Sequence, residues 1–362
     1  MITIDRAALA GALSALNRIV ERRNTIPILS HVLLTAAAGR GAALTATDLD
    51  IVATANLQAG GEGELALPAE TLRQLVQRAD GEQVTIDPLD GTARVSICSG
   101  RARARLNILP AADFPEWQPR DYPASVEMSG AELADVLGRC APAMIAGKAA
   151  QARLYLAGVY LHDSGDDLVA VATDGARLHR RIVSGAAGGF AGGVIVSDKT
   201  VRILAALSAD IARVTVEAGD TAIRVTAGGI VVTSKLVDGT YPDYSRVIPS
   251  RADIVATAER AAVEAVVERA ALVSRAVALE FSAGALAVKA SAPDVGDYEE
   301  TLEIDYAGDA RSIGLEARYL LDGLAALDGE RIEFSVDDAG SPVLLTAPGD
   351  TKRLAVVMPR RL

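Results

Sequence analysis

Aromatic side chains are scarce, at 4% of the 362-residue chain: eight tyrosines, four phenylalanines and one tryptophan. Ala, Val, Leu and Ile must therefore fill any core, and with half the residues hydrophobic there are enough of them. That proportion excludes a disordered chain. Cysteine is nearly missing too. Cys98 and Cys140 stand far apart with no C-x-x-C between them, which predicts reduced, buried thiols in a cytoplasmic protein rather than a disulfide framework. The three histidines, His31, His162 and His179, lack metal-ligand spacing, and there is no H-E-x-x-H, G-x-S-x-G or G-x-x-x-x-G-K-[ST]. No metal, cofactor or catalytic site is therefore expected. No apolar run reaches membrane-spanning length. The opening MITIDRAAL has no basic segment leading into an apolar one, so no leader peptide is expected. Cations are outnumbered, 36 Lys+Arg to 47 Asp+Glu, for a net charge of −11. An acidic total argues against a generic nucleic-acid binder, but says nothing of where the cations sit.

What the chain does have is repetition. Residues 64–100, 193–229 and 312–349 share one layout: a short apolar strand, a helix, then two strands joined by an Asp/Gly turn. Helical spacing appears in Leu72, Leu75, Val76, in Val201, Leu204, Leu207 and in Leu320, Leu321, Leu324. Ser197-Asp198 is the best of the three cap signals and Pro68 the poorest. The opening halves repeat as well, with helices predicted over 5–23, 129–145 and 258–275 and strands after each. LTATDLD (44–50) returns as VATDGAR (171–177), pairing Thr47-Asp48 with Thr173-Asp174, and returns in degraded form as KASAPDVG (289–296). The reading is α+β: three repeated domains of about 120 residues, over 1–121, 122–250 and 251–362, each with two helices on antiparallel sheets. Three copies of one fold suggest a ring or solenoid.

The predicted helices carry a small positive balance, so the remainder is more acidic than the whole chain. Arg18, Arg22, Arg23, Arg73, Arg78, Arg139, Lys148, Lys199 and Arg202 contribute. Cations on one helical surface can neutralise phosphates without reading bases. The plainer reading is a solvated helix face. A second charge pattern lies in SGRARARLNIL (99–109), where Arg101, Arg103 and Arg105 alternate with small or apolar residues and face one way on a strand. In the last repeat DYEETLEID (297–305) offers Asp297, Glu299, Glu300, Glu303 and Asp305. A basic edge and an acidic strand invite head-to-tail pairing of two chains, and two such contacts would close a ring.

Asp48 and Asp174 could be drawn as catalytic carboxylates of a hydrolase. Their duplication in two repeats favours structural turn residues, and a binding role is expected over catalysis. A monomeric repeat scaffold is a further alternative. The stretch 233–249, TSKLVDGTYPDYSRVIP, begins as a strand and continues as a stiff connector with two tyrosines and two prolines. It is either a rigid crossover between domains or the wall of a groove.

Four segments decide among these: ATDGARL (172–178), the 233–249 connector, LPAADFP (109–115) and the terminal VVMPRRL (356–362). With the threefold repeat they closely resemble the bacterial DNA polymerase III beta subunit family, the sliding clamps. The resemblance spans the whole chain. It implies the DNA clamp fold and a homodimeric six-domain ring that encircles duplex DNA, independent of base sequence, and tethers the replicative polymerase, conferring processivity without catalysis. It implies that the polymerase III alpha subunit, the clamp loader, other polymerases and repair proteins insert short peptides between the second and third domains. The matching positions are Leu156, Thr173, Gly175, Arg177, Leu178, Pro242, Arg246, Val247, Val356, Met358, Pro359, Arg361 and Leu362. For the dimer contact it implies Arg103, Ala104, Arg105 and Leu106 on one side, with Leu272, Val273, Glu299, Glu300 and Glu303 on the other. Arg23, Arg73, Lys148, Arg153 and Lys199 are the expected DNA contacts.

Overall fold

Local chemistry marks where helices begin. Asp5 accepts the amide of Ala8 at 2.8 Å and opens α1, Arg6–Leu16. Ser129 and Glu132 exchange bonds, Glu132 N to Ser129 Oγ at 3.2 Å and Ser129 N to Glu132 Oε2 at 3.1 Å, ahead of α3, Gly130–Cys140. The Ser129 donors hold the Glu132 carboxyl below its usual range. Pro68 precedes α2, Ala69–Arg78, without any side-chain cap, as its sequence suggests. The remaining helices are α4, Lys148–Ala152, α5, Asp198–Ser208, α6, Arg260–Ala271, and α7, Ala317–Ala325.

The helices expected over 5–23 and 129–145 are shorter than their periodicity suggests. After Leu16 the amides of Ile19 and Val20 both turn back to the Leu16 carbonyl, and both side chains are buried in a tightened turn. After Cys140 the chain tightens into a 3-10 turn, Ala141–Ala143, because Pro142 has no N–H for an α-helical bond.

The computed structural model describes all residues except 22–24, 119, 191, 253–254, 339 and 362. One element order recurs three times: strand, helix, three strands, strand, helix, three strands, with small additions in the first two passes. Every strand pairing is antiparallel. The chain gathers into two compact units, Met1–Ala134 with Ile203–Leu236, and Asp135–Arg202 with Val237–Leu362. The middle repeat contributes to both, and strand register explains how. In the first unit Ile51–Leu57 pairs with Ile230–Lys235 in an eight-stranded sheet. In the second, Arg177–Val183 pairs with Arg353–Val357 in another. Sheets therefore cross the repeat junctions.

Each unit also holds a smaller sheet. In the first it has five strands and ends on Ala102–Asn107; in the second it has four and ends on Gly296–Glu303. Cores are aliphatic, as the composition requires. In the second unit Val263, Val266, Leu279, Val288, Leu320 and Leu345 pack around Phe281 and Phe334, whose rings meet tilted at 5.6 Å.

Candidate functional site

The two TD turns share one hydrogen-bond frame. Thr173 Oγ1 donates to the Arg177 carbonyl at 2.7 Å and accepts Gly175 N at 3.1 Å, while Asp174 Oδ1 accepts Ala176 N at 2.9 Å and Arg177 N at 3.0 Å. In the first unit Thr47 Oγ1 bonds to the Ile51 carbonyl at 2.9 Å and accepts Leu49 N at 3.1 Å. Asp48 Oδ1 takes Asp50 N at 3.0 Å and Ile51 N at 2.6 Å. Both aspartates act as turn acceptors, the structural reading of their duplication. The third residue of each turn is left-handed. Gly175 adopts it freely at φ 91°, and Leu49 is the non-glycine residue held there, at φ 78°.

Around the second turn the chain builds an apolar floor with polar walls. Leu156, Leu178 and Val356 are buried in one cluster with Ile145, Val171, Ile195, Tyr241, Leu344 and Leu354. Arg177 is buried. Its guanidinium pairs with Asp174 at 3.1 Å and with Asp322 of α7, and lies 4.3 Å over the Tyr319 ring. Asp322 and Tyr319 were not foreseen, since only folding brings α7 to this turn. The pairing with Arg177–Val183 continues past Val357, with Met358 N donating to the Ala176 carbonyl at 2.8 Å, and Arg360 N then donates to the Gly314 carbonyl of the smaller sheet at 2.7 Å. The Arg360 side chain is tied to Glu316. Met358, 38% exposed, and Val247, 50% exposed, leave apolar surface open. Pro242 and Arg361 are exposed, Pro359 half-buried, and Arg246 pairs with Asp243 at 2.8 Å. Leu362 lies outside the described residues. All the other positions matched to the peptide site fall within the second unit.

Burial shapes the titration of this region. It pushes the Cys140 thiol up to about 12 and holds the His179 imidazole down to about 4, against a carbonyl bond from Arg139 that works the other way.

Of the expected DNA contacts, Lys148, Arg153 and Lys199 are exposed. Arg73 is bound through two nitrogens to Glu70, at 2.7 and 3.0 Å. Arg23 lies outside the described residues.

The two charged strands expected to pair are each the last strand of their sheet. On Ala102–Asn107, Arg103 and Arg105 are exposed while Ala104 and Leu106 are half-buried. Arg101 sits in the turn before this strand rather than on it. On Gly296–Glu303 the acids divide between faces. Asp297, Glu299 and Glu303 are exposed, and Lys289 lies 3.3 Å from Glu299. Glu300 turns to the other face, where Arg269 holds it at 2.7 and 3.0 Å and keeps its carboxyl below the usual range. Asp305 lies beyond the strand, bridged to Thr257. Just past α6, Leu272 is 81% exposed and Val273 half-buried.

Three family models match the chain in succession: the DNA polymerase III beta subunit N-terminal domain over residues 1–118, its central domain over 127–243 and its C-terminal domain over 245–361. The chain is 35% identical to the beta sliding clamp of Caulobacter vibrioides over all of both chains. It is 32% identical to that of Escherichia coli K12 over 99% of each. A sliding clamp from Bartonella birtlesii, solved bound to griselimycin, superposes with a TM-score of 0.93 at 35% identity, covering 100% of this chain and 99% of that one. The DNA polymerase III beta subunit of Pseudomonas aeruginosa superposes with a TM-score of 0.93 at 32% identity, covering both chains fully.

Proposed function

The chain belongs to the DNA polymerase III beta subunit family, the DNA sliding clamps of replication, and we propose that two copies close head to tail into a ring around duplex DNA. Each copy supplies three domains, 1–121, 122–250 and 251–362. The ring holds the replicative polymerase on its template by topology and has no catalytic activity or cofactor of its own.

The observation that carries the closed ring is the pair of terminal strands with opposite charge. Ala102–Asn107 presents arginines and Gly296–Glu303 presents carboxylates. Each is the edge of its sheet, with backbone groups able to extend pairing into a second chain. Leu272 supplies the apolar knob beside the acidic edge. A hollow of about 300 Å³ bounded by Thr71, Leu75, Arg78, Ala79 and Ala102 receives it beside the basic one. Arg103, Ala104, Arg105 and Leu106 face Leu272, Val273, Glu299 and Glu303 of the other copy, and Glu300 orders the acidic strand through Arg269.

Lys148, Arg153 and Lys199, with Arg73 and Arg23, make weak phosphate contacts that carry no base specificity and permit sliding. The floor formed by Leu156, Leu178 and Val356, walled by Pro242, Arg246, Val247 and the tail from Met358 to Leu362, takes short peptides with apolar anchors from polymerases and the clamp loader. Each buried Leu or Phe anchor contributes roughly 1.5–3 kcal/mol. Micromolar binding needs roughly 8 kcal/mol, so backbone hydrogen bonds to the peptide supply the rest.

The test is retention on circular against linearised plasmid after loading by an active clamp loader in moderately high salt. Retention on circles with rapid loss from linear ends is expected. Equal retention on both would replace the ring with ordinary DNA binding.

A further inference from the structure

In the second unit four rings stand in a row. Tyr241 stacks on Tyr160 at 4.6 Å with planes 4° apart, Tyr160 on His162 at 5.1 Å and 30°, and His162 meets Tyr244 at 5.7 Å and 49°. The inner end is anchored, because Tyr241 is buried in the cluster with Leu156, Leu178 and Val356, against which Tyr160 and Tyr244 also pack. His162 is bonded at both nitrogens. Nδ1 lies 2.9 Å from the Asp163 carbonyl and Nε2 2.8 Å from Tyr244 Oη. A carbonyl only accepts, so Nδ1 carries the proton and Nε2 accepts the tyrosine O–H.

The base of the row is held as firmly. The Asp163 carboxylate accepts Gly188 N at 3.2 Å and Gly189 N at 2.8 Å. Gly193, at φ 65°, lies so close to Tyr160 that a Cβ there would sit 2.1 Å from Tyr160 Oη. The connector is held differently. Pro242, Asp243, Ser245, Arg246 and Val247 are all exposed, while Tyr241, Tyr244 and Ile248 reach the cluster. Tyr244 also opens the 3-10 turn Tyr244–Val247, which carries Arg246 and Val247.

We propose that His162, through its bond to Tyr244, is the positioning residue that holds the Pro242–Arg246–Val247 wall in its peptide-binding form without lining the site itself. This rests on the peptide-site reading above. A wall free to shift would have to be ordered at binding, at a cost in affinity. Losing one neutral hydrogen bond of this kind corresponds to roughly threefold to tenfold.

The experiment measures fluorescence anisotropy of a labelled short peptide carrying one Leu and one Phe anchor, titrated with full-length wild type, M358D, H162F, Y244F, the H162F/Y244F double variant and H162Q. H162F keeps a ring in the stack and loses the bond, whereas a glutamine reaches the position of Nε2 and can restore it. Expected are weakening of roughly threefold to tenfold in H162F and Y244F, a double variant no weaker than the worse single one, and H162Q within about twofold of wild type. A purely structural defect would add across the two sites and would not be rescued by glutamine. Wild-type affinity in H162F, additive losses, or H162Q as weak as H162F would each overturn the proposal. If wild type fails to bind, or M358D binds as well as wild type, the peptide-site reading falls and this inference with it. Binding that M358D abolishes and H162F leaves unchanged would overturn the inference alone.

Discussion

His179 is buried with Nδ1 2.9 Å from the Arg139 carbonyl, and burial holds its imidazole down to about 4. A folded-state value below the unfolded one means the neutral form is favoured in the fold. Its stabilising contribution is complete above about pH 6.5 and is lost as pH falls toward 4, the loss at pH 4 being about 3 kcal/mol. Melting temperatures between pH 7 and 4.5 should fall more steeply for wild type than for H179N, which keeps the donor to Arg139 and cannot titrate. Arg177 is the other residue whose role depends on burial. R177A leaves Asp322 only its looser 3.7 Å pairing with Arg318 and uncovers Tyr319, and should cost about 2–4 kcal/mol in urea unfolding. R177K should recover little, because one ammonium cannot bridge Asp174 and Asp322 while lying flat on a ring.

Among the elements, the terminal strands carry the clearest test. Charge on an edge strand blocks wrong pairing and can direct a correct one. The R103E/R105E variant should weaken self-association by at least roughly tenfold in sedimentation velocity. Wild type should dissociate faster as salt rises, because exposed charges are screened within about 10 Å at 0.1 M. Unchanged association in both measurements would remove the electrostatic part of the contact. The sequence made the helices of the second half-repeats legible, since the apolar spacings of Leu72, Leu75, Val76, of Val201, Leu204, Leu207 and of Leu320, Leu321, Leu324 fall within Ala69–Arg78, Asp198–Ser208 and Ala317–Ala325. It overstated the first set, since apolar periodicity continues through Ile19 and Val20 and through Ala143 and Ile145 after the regular helices have ended at Leu16 and Cys140. The run of carboxylates in 297–305 marked the acidic strand, and the strand's period of two divides its acids between two faces, sending Glu300 to Arg269.

At the scale of the whole molecule, charge segregation matters more than its total. Inside the second unit Asp328 lies 3.1 Å from Arg139, 2.9 Å from Arg353 and 3.6 Å from Arg181, which also meets Asp135. These residues lie far apart in sequence, in segments matched by the central and C-terminal family models. D328N leaves the guanidinium groups facing one another and should cost about 1–3 kcal/mol, read as a lower melting temperature for this unit. The loss should shrink in high salt if repulsion among the arginines is its source.

The sequence alone determined the threefold α+β repeat, the aliphatic cores, the turn role of Asp48 and Asp174 and the family. Each follows from local spacing, or from several long motifs kept in order along the chain. Tertiary structure alone decided that sheets cross the repeat junctions, that Arg177 is held from α7, and that both charged strands are the last of their sheets. It also brought His162 to Tyr244, which lies 82 residues further along the chain. Such contacts depend on strand register and helix packing between segments far apart in sequence, where periodicity within a segment carries no information about its neighbour.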